Sequence, residues 1–144
     1  LMKQKSYIYL SFIVLALGIL LIIRLGKSVQ LKTLENSASV IQLTTGREVK
    51  RYSENAGSAL GKPVYAEILV IYEPIGNYTK KDVFDEIVAI LKKNNWKDDG
   101  STVPDYFRAS LQQGASGSGH QLSASVSIFL DKDRVSLKIT DYNR

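Results

Sequence analysis

The chain has 144 residues, no cysteine, one histidine and a formal net charge of +5. That leaves room for one folded domain and excludes disulfides, thiolate metal sites, thiol nucleophiles and a lipidated-cysteine anchor. The charge is unevenly spread: Lys3 and Lys5 give residues 1–23 a charge of +2, residues 24–62 carry seven Lys or Arg against three Glu for +4, and residues 63–144 carry ten basic against eleven acidic side chains for −1. A basic excess beside an apolar run, with a near-neutral domain beyond it, suits anionic lipid headgroups. It argues against nucleic acid, which asks for a basic face on the folded domain itself.

Residues 1–6 read as a short basic tail. Tyr7–Ile23 (YIYLSFIVLALGILLII) then runs for seventeen residues without a charge. Continued to Leu25 as a helix, it spans nearly the ~30 Å of a bilayer core. A domain this small cannot surround a helix that is apolar on every side. The competing reading is a cleaved signal peptide that releases a secreted domain. Against it, the run exceeds the usual ~7–15-residue apolar region, and charged Arg24 and Lys27 follow with no A-x-A-like site close behind. Residues 7–25 are therefore expected to be a single-pass transmembrane signal-anchor. Tyr7 and Tyr9 would sit at one interface and Arg24, Lys27 and Lys32 at the other, in contact with membrane lipid. Basic residues on the two sides are about level in number; the short tail before the first apolar run favours a cytoplasmic tail and an extracytoplasmic domain.

Residues 26–62 are expected to be a basic juxtamembrane stalk or linker. Val29, Leu31 and Leu34 carry a weak helical period that would prolong the membrane helix. Val40–Leu43 and Val49–Tyr52, flanking Thr44-Thr45-Gly46-Arg47, predict a short hairpin over 40–52, and Ser53–Lys62 a polar loop.

The folded domain is expected to begin at residue 63 and run to 144. Val64–Pro74 is predicted as a strand with Val64, Ala66, Ile68 and Val70 on one face. Leu69 and Ile71 are apolar on the other face, which places the strand in the interior of a sheet. Pro74-Ile75-Gly76-Asn77 turns the chain, and Thr79 with Asp82 forms a capping-box signature. Val83, Phe84, Ile87, Val88, Ile90 and Leu91 then mark one stripe of a helix over 80–94. Acids near its start and Lys92, Lys93 and Lys97 near its end complement the helix dipole. Trp96 is expected beneath the Asp98–Ser101 turn. Alternation predicts three further strands, Tyr106–Gln113, Leu122–Leu130 and Val135–Asp141, the last two joined by a turn at 131–134.

The predicted fold class is α+β. A transmembrane helix, with or without the short hairpin after it, precedes one amphipathic helix on one face of a mostly antiparallel sheet, in the order β-α-β-β-β. The other face, bearing Arg108, Ser110, Gln112, Ser123, Ser125, Ser127, Lys138 and Thr140, is expected to be wet and is the candidate interaction surface.

The chemical inventory is thin. His120 stands alone, so zinc has no ligand set. Gly114–Gly119 joins strand to strand as a hairpin loop and meets neither the Rossmann nor the P-loop spacing. Asp98-Asp99 and Asp131 with Asp133 sit in predicted turns and Asp85-Glu86 at a helix start; neither G-x-S-x-G nor S-x-x-K is present. No catalytic residue, metal or cofactor is predicted. In plan, though not in motif, the chain resembles bacterial envelope scaffolds of division and secretion machines. The expected function is a membrane-anchored, non-enzymatic interaction or scaffold module with membrane lipid and an envelope protein as partners. The alternatives are a small-ligand-binding or accessory subunit of an envelope enzyme, and a secreted domain after signal cleavage.

Overall fold

The computed structural model describes residues 2–56, 65–100, 103–113 and 120–142. A helix, α1 (Met2–Ser39), opens the chain. No proline interrupts it, so each amide after the first turn finds its carbonyl four residues back. After it, the amide of Ile41 bonds the carbonyl of Ala38 at 3.1 Å and closes the last turn. Strands β1 (Gly46–Ala56) and β2 (Tyr65–Pro74) follow, then α2 (Lys80–Lys93), a two-residue β3 (Lys97–Asp98), β4 (Tyr106–Gln113), β5 (His120–Ile128) and β6 (Val135–Tyr142). The strands form one six-stranded antiparallel sheet in the order β1-β2-β6-β5-β4-β3. β2 thus lies inside the sheet, which is why both its faces are apolar.

The α+β class holds, and so does the predicted helix cap. The Thr79 hydroxyl accepts from the Asp82 amide, while the Asp82 carboxylate accepts from the Thr79 amide at 2.7 Å. Helix α2 ends at Asn94, whose side-chain amide donates to the carbonyl of Ile90 at 2.8 Å. It buries Val83, Phe84, Ile87 and Leu91 against the sheet. The facing residues are Ala66, Ile68 and Val70 of β2, Leu137 and Ile139 of β6, Leu122, Ala124 and Val126 of β5, and Phe107 and Ala109 of β4, all buried. Trp96 is buried with them.

Three expectations are corrected. First, residues 31–56 are not a linker, and the domain does not begin at 63; residues 57–62 of the expected linker and polar loop lie outside the described residues. Leu34 and Ala38 on α1 and Ile41 after it are core residues, with Leu31 packed against them, so a second helix shares the buried face of the sheet. Their spacing of three, four and three residues is that of a helix packed on one side; burying each large side chain is worth ~1.5–3 kcal/mol, which a short domain needs.

Second, there is no hairpin over 40–52: Val40–Thr45 forms no strand, and Val49–Tyr52 belongs to β1, which pairs with β2 along its whole length. Ile41 is drawn into the core instead of a ladder. The register shift between Glu48 and Lys50 is a bulge, and it breaks the period of two that would have marked β1 as one strand.

Third, β5 ends at Ile128, two residues early. Leu130 is 88% exposed in the turn, where the amide of Phe129 bonds the carbonyl of Arg134 at 3.0 Å and closes the chain before Leu130 can face inward.

The two helices run in opposite directions. After α1 the carbonyl of Thr45 accepts from the amide of Ile75, so α1 heads toward the Pro74 end of β2. Lys80 at the start of α2 reaches the carbonyl of Phe129 at that same end. The far end of α2 leads through Trp96 into β3, where Lys97 pairs with Ser110 near the opposite end of β4. The first half of α1 therefore leaves the domain at the end marked by Ala56, Tyr65, Gln113, His120 and Tyr142.

Candidate interaction surface

The register places the predicted surface residues in cross-strand rows on the face away from both helices. Arg108 lies beside Ser125, Lys138, Leu69 and Tyr52 in turn, and Ser110 beside Ser123, Thr140, Glu67 and Glu54. Ser127 falls in the row of Tyr106, Ser136, Ile71 and Lys50, and Gln112 pairs with Gln121. All eight predicted residues share this face because successive strand residues alternate sides.

Arg108, Gln112 and Lys138 are exposed, and Ser110, Ser123, Ser125 and Ser127 are half-buried between their neighbours. Thr140 departs from the expectation. It is only 3% exposed, held in the central strand between Glu67 and Ser123, and is closed to a partner.

Two ion pairs cross the face. Lys138 pairs with Glu67 across the β2–β6 ladder at 2.7 Å, and Arg108 reaches Asp99 at 3.2 Å. Both pairs are partly exposed to water and worth little in stability; they order these four side chains. Toward β1 the face turns apolar, with Leu69 and Ile71 half-buried, Tyr52 exposed and the ammonium of Lys50 4.7 Å from the Tyr52 ring centre.

On the opposite, helix-covered face Glu48 and Arg51 form a two-pronged ion pair at 2.8 and 2.6 Å. The Glu48 hydrogen bond, with Glu35 of α1 adding to it more weakly, favours the charged form of Arg51. Its guanidinium in turn lowers the Glu48 carboxyl. The sequence reading missed this pair, which lies within β1.

Of the predicted lipid-contact residues, Tyr9 is 70% exposed and Lys32 is exposed. The side chains of Tyr7, Arg24 and Lys27 lie outside the described residues, as do the Gly114–Gly119 loop and the side chain of His120. Tyr9 and every residue of Ser11–Leu20 are exposed. No helix among the described residues is long and apolar enough to cross a membrane; the unbroken stretch of described side chains, Ser11–Leu20, covers about 15 Å of helix.

Among the described residues no three His, Asp or Glu side chains are grouped to hold a metal ion. A shallow recess of 480 Å³ is lined by Glu73, Pro74, Lys132, Asp133 and Arg134. Arg134 already holds Glu73 at 2.6 Å, so the recess presents both signs of charge and no free set of ligands.

No family model matches the chain, and none of the curated proteins does. Among solved structures it resembles a transcriptional regulator of the GntR family from Enterococcus faecalis V583. That match has 14% identity, covers 69% of this chain and 93% of the other, and has a TM-score of 0.24, too low to indicate a shared fold.

Proposed function

We propose that the protein is a non-enzymatic interaction module, held at a membrane by the apolar half of α1 and presenting the open face of its sheet to a protein of the bacterial envelope. The observation that carries this reading is the double character of one helix. Phe12, Ile13, Val14, Leu15, Leu17, Ile19 and Leu20 are each more than half exposed, whereas Leu34 and Ala38 further along α1 are core residues. An apolar helix exposed on all sides is unfavourable in water and at home in lipid. The domain orients on the extracytoplasmic side, with residues 1–6 in the cytoplasm.

The open face supports the interaction role. Its hydroxyls and matched ion pairs suit a polar, reversible contact, and Tyr52 with Leu69 and Ile71 supplies an apolar margin. Photo-crosslinking tests it, with the reactive group placed at Ser125 or Tyr52 on the open face, or at Ala89 on α2. In native membranes one adduct is expected at the sheet positions and none at Ala89. Equal adducts at all three positions, or none, would refute the reading. Reporter fusions at the two termini test the orientation.

A further inference from the structure

Outside the apolar run of α1, the exposed large hydrophobic side chains among the described residues are Val49 and Tyr52 on β1 and Val40, Ile75, Tyr78, Val103 and Leu130. The last five stand in connections: after α1, between β2 and α2, between β3 and β4, and between β5 and β6. All four connections fall at one end of the sheet, because Gly46 pairs with Pro74, Val135 with both Tyr72 and Ile128, and Tyr106 with Ser127. That end is opposite to the one at which the first half of α1 leaves. The ten residues of β2 separate the two, about 30 Å.

Hydrogen bonds join these connections side by side. The carbonyl of Thr45 accepts from the amide of Ile75 at 3.0 Å, that of Phe129 from the ammonium of Lys80 at 2.9 Å, and that of Asp105 from the amide of Ile128 at 3.0 Å. The five side chains thus belong to one surface, and a grouped apolar surface marks a contact site where single exposed residues do not. Turns select Gly, Asn, Asp and Ser for their backbone geometry; they have no use for Ile or Leu. Tyr78 stands where an apolar side chain can staple to Val83, yet it is 50% exposed. The recess lined by Pro74 and Lys132 opens between the connections that carry Ile75 and Leu130.

The charges around this tip are of both signs. Arg47 and Arg134 share Glu73, and Lys81 pairs with Asp85; exposed Lys132 stands between Asp131 and Asp133. An anionic lipid surface asks for a basic excess, whereas an apolar centre with a polar rim of both signs is the make-up of a protein interface. Two copies anchored in one membrane point their tips the same way, so a tip does not face a tip.

We infer that the tip is a second docking surface, on which an envelope protein lays an apolar segment over Ile75, Leu130 and Val103. It is separate from the open face proposed above, and only its direction away from the bilayer rests on the membrane reading of α1. With two surfaces the module joins two neighbours.

Photo-crosslinking of the full chain in native membranes tests this, with benzoylphenylalanine at position 75, 103 or 130, and at 125 on the open face for comparison. The three tip positions are expected to give an adduct with one and the same protein, identified by mass. With the probe at 103, Leu130→Ser should cut that adduct at least tenfold while leaving thermal unfolding and the adduct from 125 unchanged; Ile75→Ser, with the probe at 130, repeats the test from the other side. The adduct should persist in 0.5 M salt. Adducts with lipid or with a second copy of the chain, different proteins from the three positions, no adduct, or an adduct indifferent to both substitutions would each overturn the tip. Loss of the adduct from 125 alone would overturn the open face and leave the tip standing.

Discussion

Glu86 and Thr45 lie 41 positions apart in the chain and are joined twice: one carboxylate oxygen accepts from the Thr45 amide at 2.9 Å and from its hydroxyl at 2.5 Å. The other oxygen takes the Thr44 amide and hydroxyl at 2.9 and 2.7 Å. A carboxylate of α2 thereby caps two successive amides between α1 and β1, and so fastens that connection to the second helix. Burial works against its ionisation, but the Thr45 and Thr44 donors outweigh it and lower its pKa from 4.5 to about 2.

Glu86→Gln replaces one acceptor oxygen with a donor facing amide hydrogens, and is expected to cost about 1–3 kcal/mol at neutral pH, measured by urea unfolding. The folded pKa lies below the unfolded one. The stabilisation is therefore complete above pH 4.5 and is lost as the pH falls from 4.5 toward 2. The gap between wild type and variant should stay constant from pH 8 to 5 and narrow below 4.5; a gap that widens in acid would contradict the clasp.

Gly46→Ala should destabilise by about 1–3 kcal/mol through overpacking. A Cβ there would meet a methyl of Val83 at 2.9 Å and the carbonyl of Glu73 at 3.1 Å, where β1 starts beneath α2. Gly18→Ala, with nothing within 4 Å, is the matched control and should leave unfolding of the domain unchanged.

Tyr72→Phe is expected to be neutral or mildly stabilising. The Tyr72 hydroxyl is buried without a hydrogen-bond partner among the described residues, and burial pushes its pKa well up. Removing an unsatisfied polar group from the interior removes its desolvation penalty. A loss of more than about 1 kcal/mol in thermal unfolding would show that the hydroxyl has a partner.

Leu34→Ala should cost about 2–5 kcal/mol, the range for truncating a fully buried leucine. A fragment spanning residues 63–144 lacks Leu34, Ala38, Ile41 and all of β1. It should show no cooperative unfolding, whereas a fragment beginning at Lys27 should unfold in one transition. Cooperative unfolding of the shorter fragment would return residues 31–56 to the status of a linker.

What could be read in advance followed the reach of each signal. α2 was legible because its cap, stripe and last-turn lysines lie within one short run, Thr79 to Lys93. β4, β5 and β6 were legible from alternation alone, and with them the membership of the open face. β1 was not. As an edge strand it carries Arg47, Glu48, Lys50, Arg51 and Glu54, charges that protect an edge and blur alternation, and its bulge shifts the phase. The core role of α1 was within reach, since Leu31, Leu34, Ala38 and Ile41 keep helical spacing, but the apolar run before them drew the boundary too late. The Glu86 clasp and the burial of Thr140 depend on chain crossings that no local pattern reports.

Membrane attachment through α1 is the claim on which the remainder turns, and carbonate extraction of membranes from cells making the full chain, beside a chain starting at Gly26, tests it most directly. The account predicts the full chain in the pellet and the shortened chain in the supernatant, still unfolding cooperatively. Full chain released to the supernatant, with its first residues intact by mass, would contradict it.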